Sequence, residues 1–168
     1  DIGGSHVKIR SSAGGDERKA VSGPGTNAAA MADAVDGLTR GVAFDVVSIG
    51  YPGPVVHNRI VREPHNLASG WVGFDFAKRF GKPVRIVNDA LMQAVGSYAG
   101  GRMLFLGLGT GLGAAMIVDN VAQPMELAHL PYRKGRTFED YLGEASLEKR
   151  GLHKWQKHVF AAVAELSA

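Results

Sequence analysis

The chain has 168 residues, enough for one domain or two small lobes, and its formal net charge of +3 is too small to indicate nucleic-acid binding by itself. It contains no Cys, which excludes disulfides and thiolate metal sites, and no apolar run of about 18 residues, which excludes a membrane-spanning helix. Because no signal peptide is recognisable either, the sequence predicts a cytoplasmic protein without a membrane partner.

The first half of the chain reads as a hairpin followed by alternating helices and strands. His6–Arg10 and Lys19–Val21 predict a hairpin joined by a glycine loop. Ala28–Thr39 follows strong capping signals and predicts an amphipathic helix. Asp45–Gly50 predicts a buried strand that ends in a turn rich in Pro and Gly, and Ile60–Arg62 a short strand.

The next segments continue the alternation. Trp71–Phe80 predicts a short helix, Val84–Val87 a buried strand and Ala90–Tyr98 a helix. Met103–Leu108 and Ala114–Val118 predict antiparallel strands, because two apolar runs flank a glycine turn.

The last segments predict a loop and then helices. The loop covers Pro124–Tyr132, and helices are expected from Thr137 to Leu142 and from Ser146 onward, with a break at Gly151. Strands that alternate with helices predict an α/β fold.

Two glycine-rich turns predict anion-binding sites. One is Asp1–Ser5, and the other is Leu108–Gly113. Glycine lets backbone N–H groups approach an anion closely, and consecutive N–H groups form a concavity that suits phosphate. A Rossmann fingerprint is a poor match, because Ala114–Val118 reads as a strand where that motif needs a helix. The expected phosphate-binding residues are Gly3, Gly4, Ser5, Gly109, Thr110 and Gly111.

An Asn-Asp pair follows the Val84–Val87 strand and precedes a helix. Asn and Asp are preferred helix caps, so Asn88 and Asp89 have a purely structural interpretation. Beside a phosphate site, however, Asp89 is a candidate base that takes a proton from a substrate hydroxyl. The two interpretations remain open on the residues alone.

Three further polar residues are candidates for binding a polyol. Glu126 and His129 lie three residues apart, and Glu139 begins a predicted helix, where a carboxylate also favours the helix dipole. Zinc at His129 is not expected, because no Cys and no second nearby His is present.

The motifs taken together resemble those of the ROK sugar kinases, and most of all the polyphosphate glucokinase branch. The resemblance covers essentially the whole chain, and the motifs occur in the family's order. They are Asp1-Ile2-Gly3-Gly4-Ser5, Gly50-Tyr51-Pro52-Gly53, Asn66-Leu67, Val87-Asn88-Asp89-Ala90, Leu108-Gly109-Thr110-Gly111-Leu112-Gly113 and Glu126-Leu127-Ala128-His129-Leu130.

The resemblance implies an RNase-H-like, actin-like ATPase fold with two lobes around a cleft, here residues 1–90 and 91–168, and a homodimer. It implies transfer of a phosphoryl group from polyphosphate or ATP to the 6-hydroxyl of a hexose, usually glucose, with Mg²⁺. Asp89 is then the catalytic base and Asp1 the residue near Mg²⁺. The implied sugar contacts are Asn66, Asn88, Glu126, His129 and Glu139.

The sequence departs from the family pattern in three respects. Many members carry a cysteine-rich zinc site after the Glu-x-x-His motif, whereas here Tyr132–Arg136 fills that stretch and no zinc is expected. Ala128 replaces the usual Gly of that motif. The family's first strand and its C-terminal segment against the adenosine are missing, so we expect a chain truncated at both ends.

Two questions stay open at the level of sequence. Some ROK relatives are repressors, so a non-catalytic sugar-binding regulator is the alternative, although no helix-turn-helix domain is recognisable. Arg133, Lys134 and Arg136 form a basic cluster that either lines the path of a polyanionic donor or is ordinary solvated loop charge.

Overall fold

A computed structural model describes residues 1–167, and they form two compact units. Unit 1 is Asp1–Met92, and unit 2 begins at Gln93. Within residues 1–167, no helix combines the length and the apolar character needed to cross a membrane.

Unit 1 is built from two hairpins, a parallel strand pair and two helices, and the helix α3 leads out of it. Strands β1 and β2 pair antiparallel, as do β4 and β5, whereas β3 and β6 pair in parallel. The elements are β1 His6–Ile9, β2 Arg18–Val21, α1 Ala28–Leu38, β3 Val47–Tyr51, β4 Val55–Val56, β5 Arg59–Ile60, α2 Phe76–Phe80, β6 Val84–Asn88 and α3 Asp89–Ser97.

The core of unit 1 is aromatic and aliphatic. Tyr51 and Trp71 are fully buried, with ring centroids 5.6 Å apart, and Ile2, Met31 and Phe76 are buried around them. Each such side chain contributes roughly 1.5–3 kcal/mol through removal of apolar surface from water. This core fixes the end of β3 and the start of the chain against each other.

Unit 2 contains a three-stranded antiparallel sheet, a small hairpin and three helices. The sheet order is β7-β8-β9, and β10 pairs with β11. The elements are β7 Arg102–Leu108, β8 Leu112–Val118, β9 Val121–Met125, β10 Pro131–Arg133, β11 Arg136–Thr137, α4 Glu139–Leu142, α5 Glu144–Arg150 and α6 Leu152–Leu166.

The core of unit 2 joins the sheet to the helices. Leu112, Phe138, Leu142 and Ala162 are buried in one cluster. The indole Nε1 of Trp155 donates to Leu142 O at 2.9 Å, which ties α6 to the end of α4. The second glycine turn, between β7 and β8, is therefore held by a packed sheet on one side and by helices on the other.

Candidate active site

The first glycine turn is a tight hairpin clamped by a buried serine. Gly3 N donates to His6 O at 2.9 Å, and Ser22 Oγ donates to Gly3 O at 2.6 Å. Ser22 N also donates to Ser5 O at 2.9 Å. Within residues 1–167, the amides of Gly4 and Ser5 donate to no protein group. Two neighbouring amides with no protein acceptor are what an anion-binding turn requires.

Asn66 lies directly beside this first turn. A Cβ placed on Gly4 would lie 3.4 Å from Asn66 Cβ. The loop that carries Asn66 is anchored just after that residue, because Ala68 N donates to Thr26 O at 3.1 Å and Trp71 is buried in the core. The expected sugar contact and the expected phosphate turn are therefore adjacent within unit 1.

Glu63 holds the same loop with its carboxylate. Its two oxygens accept hydrogen bonds from three consecutive amides, those of Gly70, Trp71 and Val72, at 3.1, 3.1 and 3.2 Å. Partial burial opposes ionisation, but the three amide bonds outweigh it and hold the pKa of Glu63 below its usual value. Glu63 is thus a positioning residue for Asn66.

We expect Glu63 to make stability depend on pH. Because its folded-state pKa is depressed, the stabilisation is complete above the unfolded pKa, about 4.3, and is lost as the pH falls through the folded value. Urea unfolding of the wild type and of Glu63→Gln from pH 7 to pH 3 checks this. The difference in the free energy of unfolding between the wild type and Glu63→Gln should decrease below about pH 4.3. A difference that does not change with pH would contradict this role of Glu63.

Asn88 and Asp89 lie at the junction of β6 and α3. Asn88 Oδ1 accepts from Leu91 N at 3.0 Å, and so Asn88 caps the helix, while its Nδ2 lies 3.4 Å from Gly53 O. Asp89 Oδ1 accepts from Ala90 N at 2.8 Å, and the residue is half-buried. Asn88 therefore has the predicted capping role, and the half-buried Asp89 follows directly at the end of the β3–β6 strand pair.

Asp1 and Asp89 converge on Gly50 at the end of β3. A Cβ on Gly50 would lie 3.4 Å from Asp1 Oδ1 and 3.4 Å from the Cα of Asp89. Mg²⁺ in phosphoryl-transfer sites is bound through one or two carboxylates plus substrate phosphates. The Asp1 carboxylate provides one such oxygen donor, although no group of three potential metal ligands lies together within residues 1–167.

The second glycine turn is braced by two glutamates. Gly109 N donates to Gly111 O at 3.1 Å, and Leu112 N donates to Glu139 Oε2 at 3.0 Å. Glu144 N donates to Gly109 O at 2.9 Å, which binds the start of α5 to the turn. Within the described chain, the amides of Thr110 and Gly111 donate to no protein group, which suits an anion-binding turn.

Glu139 connects this turn with the Glu126–His129 segment. Its backbone N donates to Ala128 O at 3.1 Å, and the preceding Phe138 N donates to Leu130 O at 3.2 Å. Glu126 and His129 are exposed, and neither makes a side-chain hydrogen bond within residues 1–167. Unit 2 therefore brings the second turn, Glu139 and the Glu-x-x-His backbone together, with two polar side chains available to a ligand.

The sequence interpretation missed the residues that brace the site. These residues are Ser22, Glu63 and Glu144. Each contacts residues that are distant in the sequence, and none belongs to a local motif. The sequence Ser22-Gly23-Pro24-Gly25 is typical of a turn, but it does not identify the partner of Ser22.

Comparisons with known proteins identify the family. The ROK family model matches residues 17–124, more than half of the chain. The structure is similar to an inorganic polyphosphate/ATP-glucomannokinase from Arthrobacter sp. strain KM, with a TM-score of 0.77 and 26% identity over 98% of this chain and 77% of that one. The sequence has no significant match among curated proteins.

Two further solved structures are similar in fold. A ROK family glucokinase from Streptomyces griseus, in complex with glucose and AMPPNP, has a TM-score of 0.71 and 23% identity over 88% of this chain and 57% of that one. A ROK family transcriptional regulator, a homolog of the E. coli MLC protein, has a TM-score of 0.59 and 17% identity over 80% of this chain and 42% of that one. The expected actin-like ATPase fold is confirmed. The chain belongs to the ROK family.

Proposed function

We propose that this chain is the core of a sugar kinase that transfers a phosphoryl group from polyphosphate or ATP to the 6-hydroxyl of a hexose, with glucose as the first candidate. Family membership and the kinases among its structural relatives support the proposal. The observation that carries it is the placement of Asp89 at the strand end beside Asp1, because a protein that only binds sugar needs no base there.

In the proposed reaction, Asp89 accepts the proton of the sugar hydroxyl while the hydroxyl oxygen attacks the terminal phosphorus of the donor. The bond from that phosphorus to the bridging oxygen breaks, and the shortened polyphosphate or ADP leaves with the electron pair. The open amides of Gly4, Ser5, Thr110 and Gly111 bind phosphate oxygens. Asp1 would hold Mg²⁺, which would neutralise phosphate charge when bound.

Each unit carries polar side chains that we assign to the binding of sugar hydroxyls. In unit 1 these are Asn66, next to the first turn, and the Nδ2 group of Asn88, whose Oδ1 is committed to the helix. In unit 2 they are Glu126, His129 and the second oxygen of Glu139. Each supplies a hydrogen bond of the kind that polyol recognition needs.

We expect Glu126→Ala and His129→Ala to weaken hexose binding. Each change removes one hydrogen bond, worth roughly 0.5–1.5 kcal/mol net and more where the sugar hydroxyl is left buried without a partner. The fold should be unaffected, since both side chains are exposed. Calorimetric titration with glucose checks this, with the exposed His153→Ala as the matched control. Unchanged affinity in both variants would remove these residues from the site.

The direct test is a sugar-dependent transfer assay with both donors. Purified chain is incubated with Mg²⁺, glucose or mannose, and either polyphosphate or ATP, and the sugar 6-phosphate is quantified. Transfer that requires both the sugar and a donor supports the proposal. Sugar binding by calorimetry without transfer from either donor would overturn it.

That second result would favour the alternative function, a sugar-responsive regulator. The specific support is the similarity in fold to the ROK family transcriptional regulator. The kinase is the better-supported function, because Asp89 lies where phosphoryl transfer needs a base.

A further inference from the structure

A cavity of about 290 Å³ opens beside the second glycine turn, within unit 2. It is lined by Thr110 of the turn, by the end of the β10–β11 hairpin and by α4 and α5. The charged residues that line it are Arg136, Glu139, Asp140, Lys149 and Arg150.

None of the three cations of this cavity forms a direct ion pair with a carboxylate among residues 1–167. Arg136, Lys149 and Arg150 form no ion pair within 4.0 Å among residues 1–167, although two carboxylates share the lining. Both carboxylates have other partners, because Glu139 accepts from Leu112 N and Asp140 accepts from Thr137 N and Oγ1 at 2.9 and 3.0 Å. Three cations against two carboxylates leave the lining of this cavity with a net positive charge, which favours an anionic ligand.

Arg150 is held in place before any ligand binds. Its guanidinium carbon lies 4.6 Å from the ring centroid of Tyr141, and its Nε donates at 2.9 Å to Oγ of Ser146, which is buried. These contacts leave the two terminal nitrogens without a protein acceptor in the described chain. A fixed, planar pair of donors is the arrangement that binds phosphate oxygens in a bidentate manner.

We propose that this cavity binds a phosphate chain, namely the phosphates of the donor that lie beyond the group transferred. The inference rests on the proposed kinase function, since the cavity shares Thr110 with the turn assigned to donor phosphates. Inorganic polyphosphate and a nucleoside triphosphate both carry such a chain. Arg136 binds it from the hairpin, and Lys149 and Arg150 bind it from α5.

The rest of the basic cluster seen in the sequence lies elsewhere. The guanidinium carbon of Arg133 is 4.7 Å from the ring centroid of Tyr132, and Lys134 has a positive φ of 51° at the hairpin tip. Neither lines the cavity. Of the three residues in that cluster, the donor path proposed here uses only Arg136.

The test uses the full chain and two variants with the same change in net charge. The first is Arg136→Gln/Lys149→Gln, which removes two exposed cations from the cavity, and the control is Lys154→Gln/Lys157→Gln on the exposed face of α6. Calorimetry measures the affinity for tripolyphosphate and for ATP, each without sugar, at low and at physiological salt. Thermal unfolding verifies that both double variants are folded. If one of them is not folded, its two single variants are measured instead.

The cavity variant should bind tripolyphosphate about 100-fold more weakly, at roughly tenfold for each charged hydrogen bond removed. The control should bind within about twofold of the wild type, because Lys154 and Lys157 do not line the cavity and solvent screens exposed charges. A loss with one ligand alone supports the site and identifies the donor class. Equal losses in both variants, or no loss in either, would overturn the site.

The outcomes separate this inference from the proposed function. Tripolyphosphate binding that depends on Arg136 and Lys149, without any transfer to sugar, would keep the anion site and reject the kinase. Transfer to sugar with donor affinity unchanged in the cavity variant would keep the kinase and reject the site.

Discussion

We expect Asp89→Asn to slow phosphoryl transfer by about 10²–10⁴-fold, the usual effect of losing a general base. The amide of Asn retains an oxygen that can accept the Ala90 N–H bond made by Asp89 Oδ1 at 2.8 Å, so the local structure is preserved. It cannot accept a proton at neutral pH. Hexose affinity should therefore change little while the turnover number falls, which steady-state kinetics and calorimetry measure together.

The matched control is Asp45→Asn, an exposed carboxylate just before β3. It removes the same charge from unit 1 without touching the strand end. Near-normal turnover in Asp89→Asn would remove Asp89 from the mechanism, and an equal loss in Asp45→Asn would attribute the effect to overall charge.

The elements that were predictable from sequence are those whose hydrogen bonds are local. The helix α1 begins at Ala28, as expected, because Asn27 Oδ1 accepts from Ala30 N at 2.9 Å. The strands β7 and β8 pair from Arg102 with Val118 to Leu108 with Leu112, as two apolar runs around a glycine turn predict.

The elements that were mispredicted depend on distant partners. Trp71–Phe80 was expected to be helical throughout, yet α2 begins only at Phe76, because Glu63 binds the amides of residues 70–72 and Gly73 has a φ of 80°. The aromatic side chains of Trp71, Phe74 and Phe76 pack in the core of unit 1 and do not form one face of a helix. A carboxylate seven or more residues away leaves no periodic signal in the segment that it binds.

Four strands were missed, namely β4, β9, β10 and β11, and turn and edge chemistry explain the first two. The β4–β5 turn consists of His57 and Asn58 with φ of 48° and 66°, and it lacks the Gly that usually identifies such a turn. The strand β9 contains Pro124, which argues against a central strand but is tolerated here, because β9 pairs only with β8 and forms the edge of its sheet.

In the candidate site, too, motifs that are contiguous in sequence were predictable, and contacts between distant residues were not. Motif reasoning located the two turns and the Asn-Asp pair, which are contiguous in sequence. It assigned Glu139 to the sugar, whereas the structure shows that one oxygen of Glu139 also binds Leu112 N in the second turn. That contact joins residues 27 positions apart, and no spacing rule predicts it. The sugar role of its other oxygen remains a prediction.

We expect Gly111→Ala to impair catalysis through Glu139. A Cβ at Gly111 would lie 2.6 Å from Glu139 Oε2, so the carboxylate has to move away and its bond to Leu112 N is lost. The end of a Glu side chain moves readily, so global stability should fall only by about one hydrogen bond, roughly 0.5–1.5 kcal/mol. Transfer should fall further, because both the turn and a proposed sugar contact are displaced together.

A double-mutant cycle isolates this mechanism. If Gly111→Ala acts by displacing Glu139, then Gly111→Ala/Glu139→Ala should transfer phosphate at nearly the rate of Glu139→Ala alone. The reason is that the effects of substitutions at two residues in direct contact do not add. Amide hydrogen exchange supplies the structural readout, and Leu112 should lose protection in Gly111→Ala. It should keep that protection in Gly109→Ala, since a Cβ there meets no atom within 4 Å in the described chain. Additive losses, or a protected Leu112 amide in Gly111→Ala, would show that Glu139 is not the element through which the second turn acts.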